Sequence, residues 1–183
     1  MKRLSILTLL LLGLTGLLLT ACGSSKKQQK SQGFADEPKW AASPPDGCGV
    51  GITKYRGNRG MARSTSTSRA RDDLARQLQV KVEGMIKDYQ AQGTADGEGF
   101  NEERTTQVSR QIVSNTLLGT KVQATYVTET EKPHYYSLVC LKPESIAGAF
   151  DKMDQLSMKQ RKALKNRAEK EFNDLDDQLK KYN

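Results

Sequence analysis

One histidine, three cysteines and no second long apolar run narrow the chemistry open to this chain before any motif is sought. His134 stands alone and no two cysteines are closely spaced, so a zinc site lacks its usual ligands. No Gly-x-Ser-x-Gly elbow, Walker loop or His-Glu-x-x-His helix occurs. Carboxylates are plentiful, but Asp72, Asp73 and Glu83 fit a helix surface, and no pair is singled out for acid–base work. The glycines of "GCGVG" (47–51) precede a strand-like run instead of leaving a strand for a helix, which rejects a dinucleotide loop. The expectation is a non-enzymatic chain without cofactor or metal. At 27% charged and 36% hydrophobic residues, most of it reads as a globular domain and not as a membrane bundle.

What is present begins with an export pattern. Lys2 and Arg3 are followed by a charge-free, leucine-rich run from Leu4 to Gly23, at the lower limit of what spans a bilayer about 30 Å thick. A basic start, an apolar middle and small residues before a cut describe a signal peptide. Leu19-Thr20-Ala21-Cys22 resembles the lipobox of bacterial lipoproteins. That resemblance implies cleavage after Ala21 and acylation of Cys22, with two or more acyl chains giving a stable anchor. The alternative is an uncleaved signal anchor with a chance cysteine. Gly23 and Ser24 stand where retention in the inner membrane would favour Asp, so outer-membrane delivery, facing the periplasm, is expected. Cleavage lowers the formal charge from +8 to +6 and leaves about 160 residues, enough for one domain.

Lipidation of Cys22 would account for the odd cysteine and leave Cys48 and Cys140. They are a candidate disulfide in an oxidising compartment, or two separate buried thiols. If bonded, they close 92 residues, a constraint contributing roughly 4 kcal/mol in the chain-entropy model.

Residues 22–37 read as a flexible tether, in which Lys26, Lys27 and Lys30 either lie against anionic lipid or form a solvated spacer. Trp40, Pro44 and Pro45 open the folded part, and "CGVGITKY" (48–55) has the content of a strand that its glycines weaken. "RGNRG" (56–60) is expected to loop, with N-caps for a helix offered by Ser64 to Ser68. Ala70, Leu74, Leu78, Val82, Met85 and Tyr89 mark one apolar helical face, widened by Ala75 and Ile86. Asp72 and Asp73 are then expected in its first turns, where the helix dipole favours them.

After the glycines of 91–99, a second helix is expected from about Asn101 to Leu118, ended by Gly119. "TKVQATYVT" and "YYSLVCLK" around the "ETEKPH" turn predict an antiparallel hairpin. The fold class is therefore α+β: about three antiparallel strands packed with two helices over residues 38–143. Residues 144–183 are expected to add a charged C-terminal amphipathic helix carrying Leu164, Ala168, Phe172, Leu175, Leu179 and Tyr182. Its basic first half and acidic second half would suit an antiparallel copy, against the alternative that it folds back on its own domain.

The one site-like feature is basic. Arg56, Arg59, Arg63 and Arg69, with Lys54 and Arg71, concentrate around the loop and helix start as a candidate anion site. The competing reading is a solvated charge cluster. Export argues against nucleic acid and favours phosphates of an envelope glycolipid or acidic protein surfaces. The alternative function is an envelope-ligand binder recognising glycolipid phosphate or peptidoglycan through this basic loop.

Trp40, Pro44-Pro45, Gly49-Val50-Gly51, Arg69-Ala70-Arg71, Leu74-Ala75, Leu118-Gly119, Val122 and Tyr135 to Val139 together resemble the Lpp-twenty lipoprotein family. That family includes the flagellar accessory lipoprotein FlgP and is related to the first domain of flagellar FlgT. The resemblance covers roughly residues 38–142. It implies a small α+β domain with a non-catalytic envelope role, sometimes in a ring around the flagellar motor, and transfers no catalytic residue. The chain departs from the family's alanine-rich helix face at Ser66 and Ser68, and its charged tail lies outside the match. The resulting expectation is a lipid-anchored scaffold or assembly component with envelope proteins or further copies of itself as partners. Sheet edges and the terminal helix would make the contacts.

Overall fold

The computed structural model describes residues 36–92 and 101–173, all within the unit Gly33–Asn183, which is distinct from Met1–Gln32. The elements are α1 (Lys39–Ala42), β1 (Cys48–Lys54), α2 (Arg59–Ala91), α3 (Glu102–Leu117), β2 (Lys121–Val127), β3 (His134–Cys140), α4 (Pro143–Asp151) and α5 (Met158–Glu171). The three strands form one antiparallel sheet in the order β1-β3-β2, so the fold is α+β. β3 is central, which suits a run of six buried residues from Tyr135 to Cys140. A bulge interrupts the β2–β3 register between Val122 and Ala124.

The glycines of β1 have a packing cause. Gly49 and Gly51 pair with Val139 and Ser137 and point to the face crossed by α2. A Cβ on Gly49 would lie 2.2 Å from the Ala70 carbonyl oxygen, and one on Gly51 would lie 1.8 Å from that of Ser66. Helix and strand thus approach almost backbone to backbone, and Ser66 Oγ meets Ser137 Oγ at 2.7 Å.

This crossing corrects the expected start of the helix. Ser64 to Ser68 do not cap α2 but lie inside it, with Ser66 and Thr67 buried where only small side chains fit beside β1. The cap is Asn58, whose Oδ1 accepts from Met61 N at 2.9 Å, after Gly57 at φ +83 turns the chain out of the strand. Asp72 and Asp73 consequently sit well within the helix, away from its dipole end. Asp73 instead accepts from the Val50 backbone N–H at 3.1 Å and from Gln77 Nε2 at 3.0 Å. Arg69 Nη1 donates to the Ile52 carbonyl. Side chains of α2 therefore occupy outward backbone groups of β1, which blocks pairing of another strand along that edge.

Gly119 does not end α3 through a left-handed turn. Its φ is ordinary, and its missing Cβ makes room for Ser145, whose Oγ would lie 2.1 Å from it.

The tail differs most from expectation. It forms two helices, broken between Lys152 and Ser157, where Ser157 and Gln160 make a reciprocal capping box. Both helices belong to the same core as the sheet: Ile146, Phe150, Leu164, Ala168 and Phe172 are buried with Leu74, Leu78, Ile112 and Leu138. The expected boundary after residue 143 therefore does not separate two bodies. The face containing Leu164, Ala168 and Phe172 is spent within the domain and cannot serve an antiparallel copy. Leu175, Leu179 and Tyr182 lie outside the described residues.

At the other end, Asp36 already belongs to the domain, although the tether was expected to run through residue 37. Its carboxylate accepts from Glu129 N at 3.0 Å and from the Tyr126 hydroxyl at 2.9 Å. Trp40 packs edge-on against Tyr136 on the sheet face opposite α2, with ring centroids 6.4 Å apart. Burial pushes the Tyr136 phenol above its ordinary pKa, with the nearby Glu37 charge adding to the effect.

Candidate functional site

Cys48 and Cys140 are directly opposed in the β1–β3 register, with Cα atoms 4.1 Å apart, and their sulfurs are bonded. The bond ties β1 to the central strand at the end where Leu141 N donates to the Gly47 carbonyl. Cys22 and the basic tether lie outside the described residues.

The basic cluster is divided by the fold. The end of β1, the following loop and the first turns of α2 enclose an open cleft of about 450 Å³ lined by Thr53, Lys54, Arg56, Asn58, Met61, Ala62, Thr65 and Arg69. The cause is helical geometry: residues 61, 65 and 69 recur every four positions and share one side of α2. Arg56 and Arg69 thus meet in the cleft, joined by Lys54. Arg59 and Arg63, grouped with them in the sequence, do not line it. Arg71 points elsewhere, donating through Nε to Thr120 Oγ1 at 3.3 Å.

No carboxylate lines the cleft. Among the described residues none lies within ion-pairing distance of Lys54, Arg56, Arg59, Arg63 or Arg69. Asn58 and Thr65 were missed as cleft residues because the expected loop placed them before the helix.

A second surface is apolar. Ala75, Val80, Val113 and Leu117 line a groove of about 640 Å³ between α2 and α3, with Arg76 and Arg110 also along it. Val80 is 72% exposed, and Leu118 at the end of α3 is 85% exposed. Ala75, expected to widen the core face, packs half-buried against the core and also borders this groove. Val80 gives the one sequence signal, an apolar residue off the buried stripe of Leu74, Leu78 and Val82.

His134 is the first residue of β3, and its backbone N–H donates to Thr128 Oγ1 at 2.8 Å. Among the described residues no three His, Cys, Asp or Glu side chains cluster as metal ligands, and no helix is long and apolar enough to cross a membrane. No family model matches this chain, and no curated protein matches it either.

Proposed function

We propose that this chain is a non-enzymatic lipoprotein of the bacterial outer membrane, facing the periplasm and acting as an envelope assembly component of the Lpp-twenty kind. The observation that carries the reading is the Cys48–Cys140 bond. A disulfide belongs to an oxidising compartment. It also leaves Cys22 as the one cysteine without a partner in the chain, and that residue sits in the lipobox-like Leu19-Thr20-Ala21-Cys22. Acylated at Cys22, the domain would hang from the membrane by the stretch up to Asp36.

Assembly would use the groove along α2 and α3, where Val80 stands 72% exposed beside Ala75, Val113 and Leu117. A second copy is the partner whose presence in the same bilayer plane is assured, and confinement there raises the effective concentration of a weakly associating module.

Intact mass and sizing of protein purified from its native membrane, wild type against Cys22→Ala, test both parts. The reading expects a chain cleaved before Cys22 and triacylated, in oligomers that persist after delipidation and disperse with Val80→Asp. An uncleaved, unmodified chain would overturn the anchor. A lipidated protein that is monomeric after delipidation would overturn self-assembly.

A further inference from the structure

We infer that the cleft between β1 and α2 is a binding site for a phosphate group, with Lys54, Arg56 and Arg69 as its cationic ligands. The inference needs neither the anchor nor the assembly partner, so it stands or falls apart from them.

Charge localisation is the first ground. Between Asp46 and Asp72 the sequence has no acidic residue and six cationic ones, from Lys54 to Arg71. Among the described residues Lys and Arg number 22 and Asp and Glu 16, so this one stretch equals the whole cationic excess. Elsewhere on the domain the charges balance, with pairs such as Lys165–Asp151 at 2.7 Å and Lys81–Glu171 at 3.0 Å. Here the cations face one another without a carboxylate, an arrangement whose repulsion a bound anion would relieve.

Geometry is the second ground. The three cations come from three segments and converge on one concave space, whereas a solvated helix face would splay them. Arg69 is held by its Nη1 bond to the Ile52 carbonyl, leaving the other guanidinium N–H groups as donors. The Thr53 and Thr65 hydroxyls border the same space, and Asn58, whose Oδ1 is used as the helix cap, retains its amide N–H donors. A donor-rich, acceptor-poor lining suits a tetrahedral oxyanion over a carboxylate partner of fixed plane.

Met61 and Ala62 complete the wall, and Met61 is 68% exposed. An apolar side chain left in water beside three cations fits a phosphate that carries an apolar substituent, as in a lipid headgroup. The same cations would also hold free phosphate.

The test uses the protein as purified from its native membrane, in neutral detergent, titrated calorimetrically with inorganic phosphate and, separately, with dihexanoyl-phosphatidylglycerol. Two double variants carry the same loss of charge: Lys54→Gln with Arg56→Gln inside the cleft, and Arg59→Gln with Arg63→Gln outside it. All four positions are exposed, so both proteins should fold as wild type does.

The inference expects saturable binding that falls at least about tenfold in the first variant, which loses direct charged hydrogen bonds. It expects a fall below about threefold in the second, which alters only a screened field. Equal losses would mean diffuse attraction and overturn the site, as would absence of saturable binding up to about 10 mM of either probe. Tighter binding of the lipid, abolished as an advantage by Met61→Ser, would identify a headgroup as the source. Equal affinities would identify free phosphate.

Discussion

At the scale of single residues, the contact between β1 and α2 depends on two missing Cβ atoms. A methyl group on Gly51 would fall 1.8 Å from the Ser66 carbonyl oxygen and 2.5 Å from Ala70 N, both backbone atoms that no rotamer change can move. Gly51→Ala should therefore force the helix off the strand and cost about 3 kcal/mol, the upper part of the overpacking range. Gly84, inside α2, has nothing within 4 Å of its missing Cβ. There, Gly84→Ala should stabilise by about 0.5–1 kcal/mol through helix propensity. Urea unfolding of both variants checks the opposite signs, and a destabilisation of Gly84→Ala matching that of Gly51→Ala would sink the close-packing account. In the sequence these strand glycines weakened the β1 assignment because they look only like lost side chains. Their reason lies 15 or more residues away, in the small side chains Ser66 and Ala70, which local patterning does not connect to them.

Among the elements, the strap leading into α1 is held by polar contacts of Asp36. Hydrogen bonds from the Glu129 backbone N–H, then from the Tyr126 hydroxyl, keep the Asp36 carboxyl below its ordinary pKa of 3.8. Because the folded-state value is depressed, the contribution is present above about pH 4 and is lost as pH falls through the folded value. Trp40, the one tryptophan of the chain, rests on Tyr136 and reports the strap by its emission. Acidification should shift that emission before the far-ultraviolet signal of the sheet is lost, and Asp36→Ala should show the shifted emission already at neutral pH. Identical titrations of the two proteins would detach the strap from Asp36. The hairpin and α3 were legible because their signals are local: alternation around a turn, and Asn101 ahead of an apolar period. The start of α2 was not, because the Ser and Thr residues that would cap an isolated helix lie inside it, with Ser66 and Thr67 buried where the helix passes β1. The break in the tail was readable but overlooked, since Ser157-Met158-Lys159-Gln160 is a capping box in plain sequence. The cleft was half legible. The arginines cluster along the chain, but the angle around α2 decides that Arg69 joins Arg56 while Arg63 does not.

For the whole molecule, the consequence of largest size concerns where the domain ends. In the sequence, residues 144–183 stand apart as a charged amphipathic helix that either meets an antiparallel copy or folds back on its own domain. The fold-back holds, since Ile146, Phe150, Leu156, Leu164 and Phe172 are at most 2% exposed. Fully burying a large apolar side chain contributes roughly 1.5–3 kcal/mol, so five of them supply about as much as the 5–15 kcal/mol by which a whole domain is normally stable. Polar links reinforce the docking: Arg104 Nη2 donates to the Gln155 carbonyl at 2.8 Å, and Lys81 pairs with Glu171 while sitting 5.2 Å from the Phe172 ring centroid. Removing residues 143–183 would both delete these side chains and uncover the apolar surfaces of α2 and α3 beneath them. A chain ending at Lys142 should therefore lose cooperative urea unfolding and near-ultraviolet circular dichroism even with the Cys48–Cys140 bond intact. One ending at Asn173 should retain both, because every core residue named here is still present. Cooperative unfolding of the shorter chain at the wild-type midpoint would make the tail dispensable to the core. A single core reaching from β1 to Phe172 would be excluded by the same result.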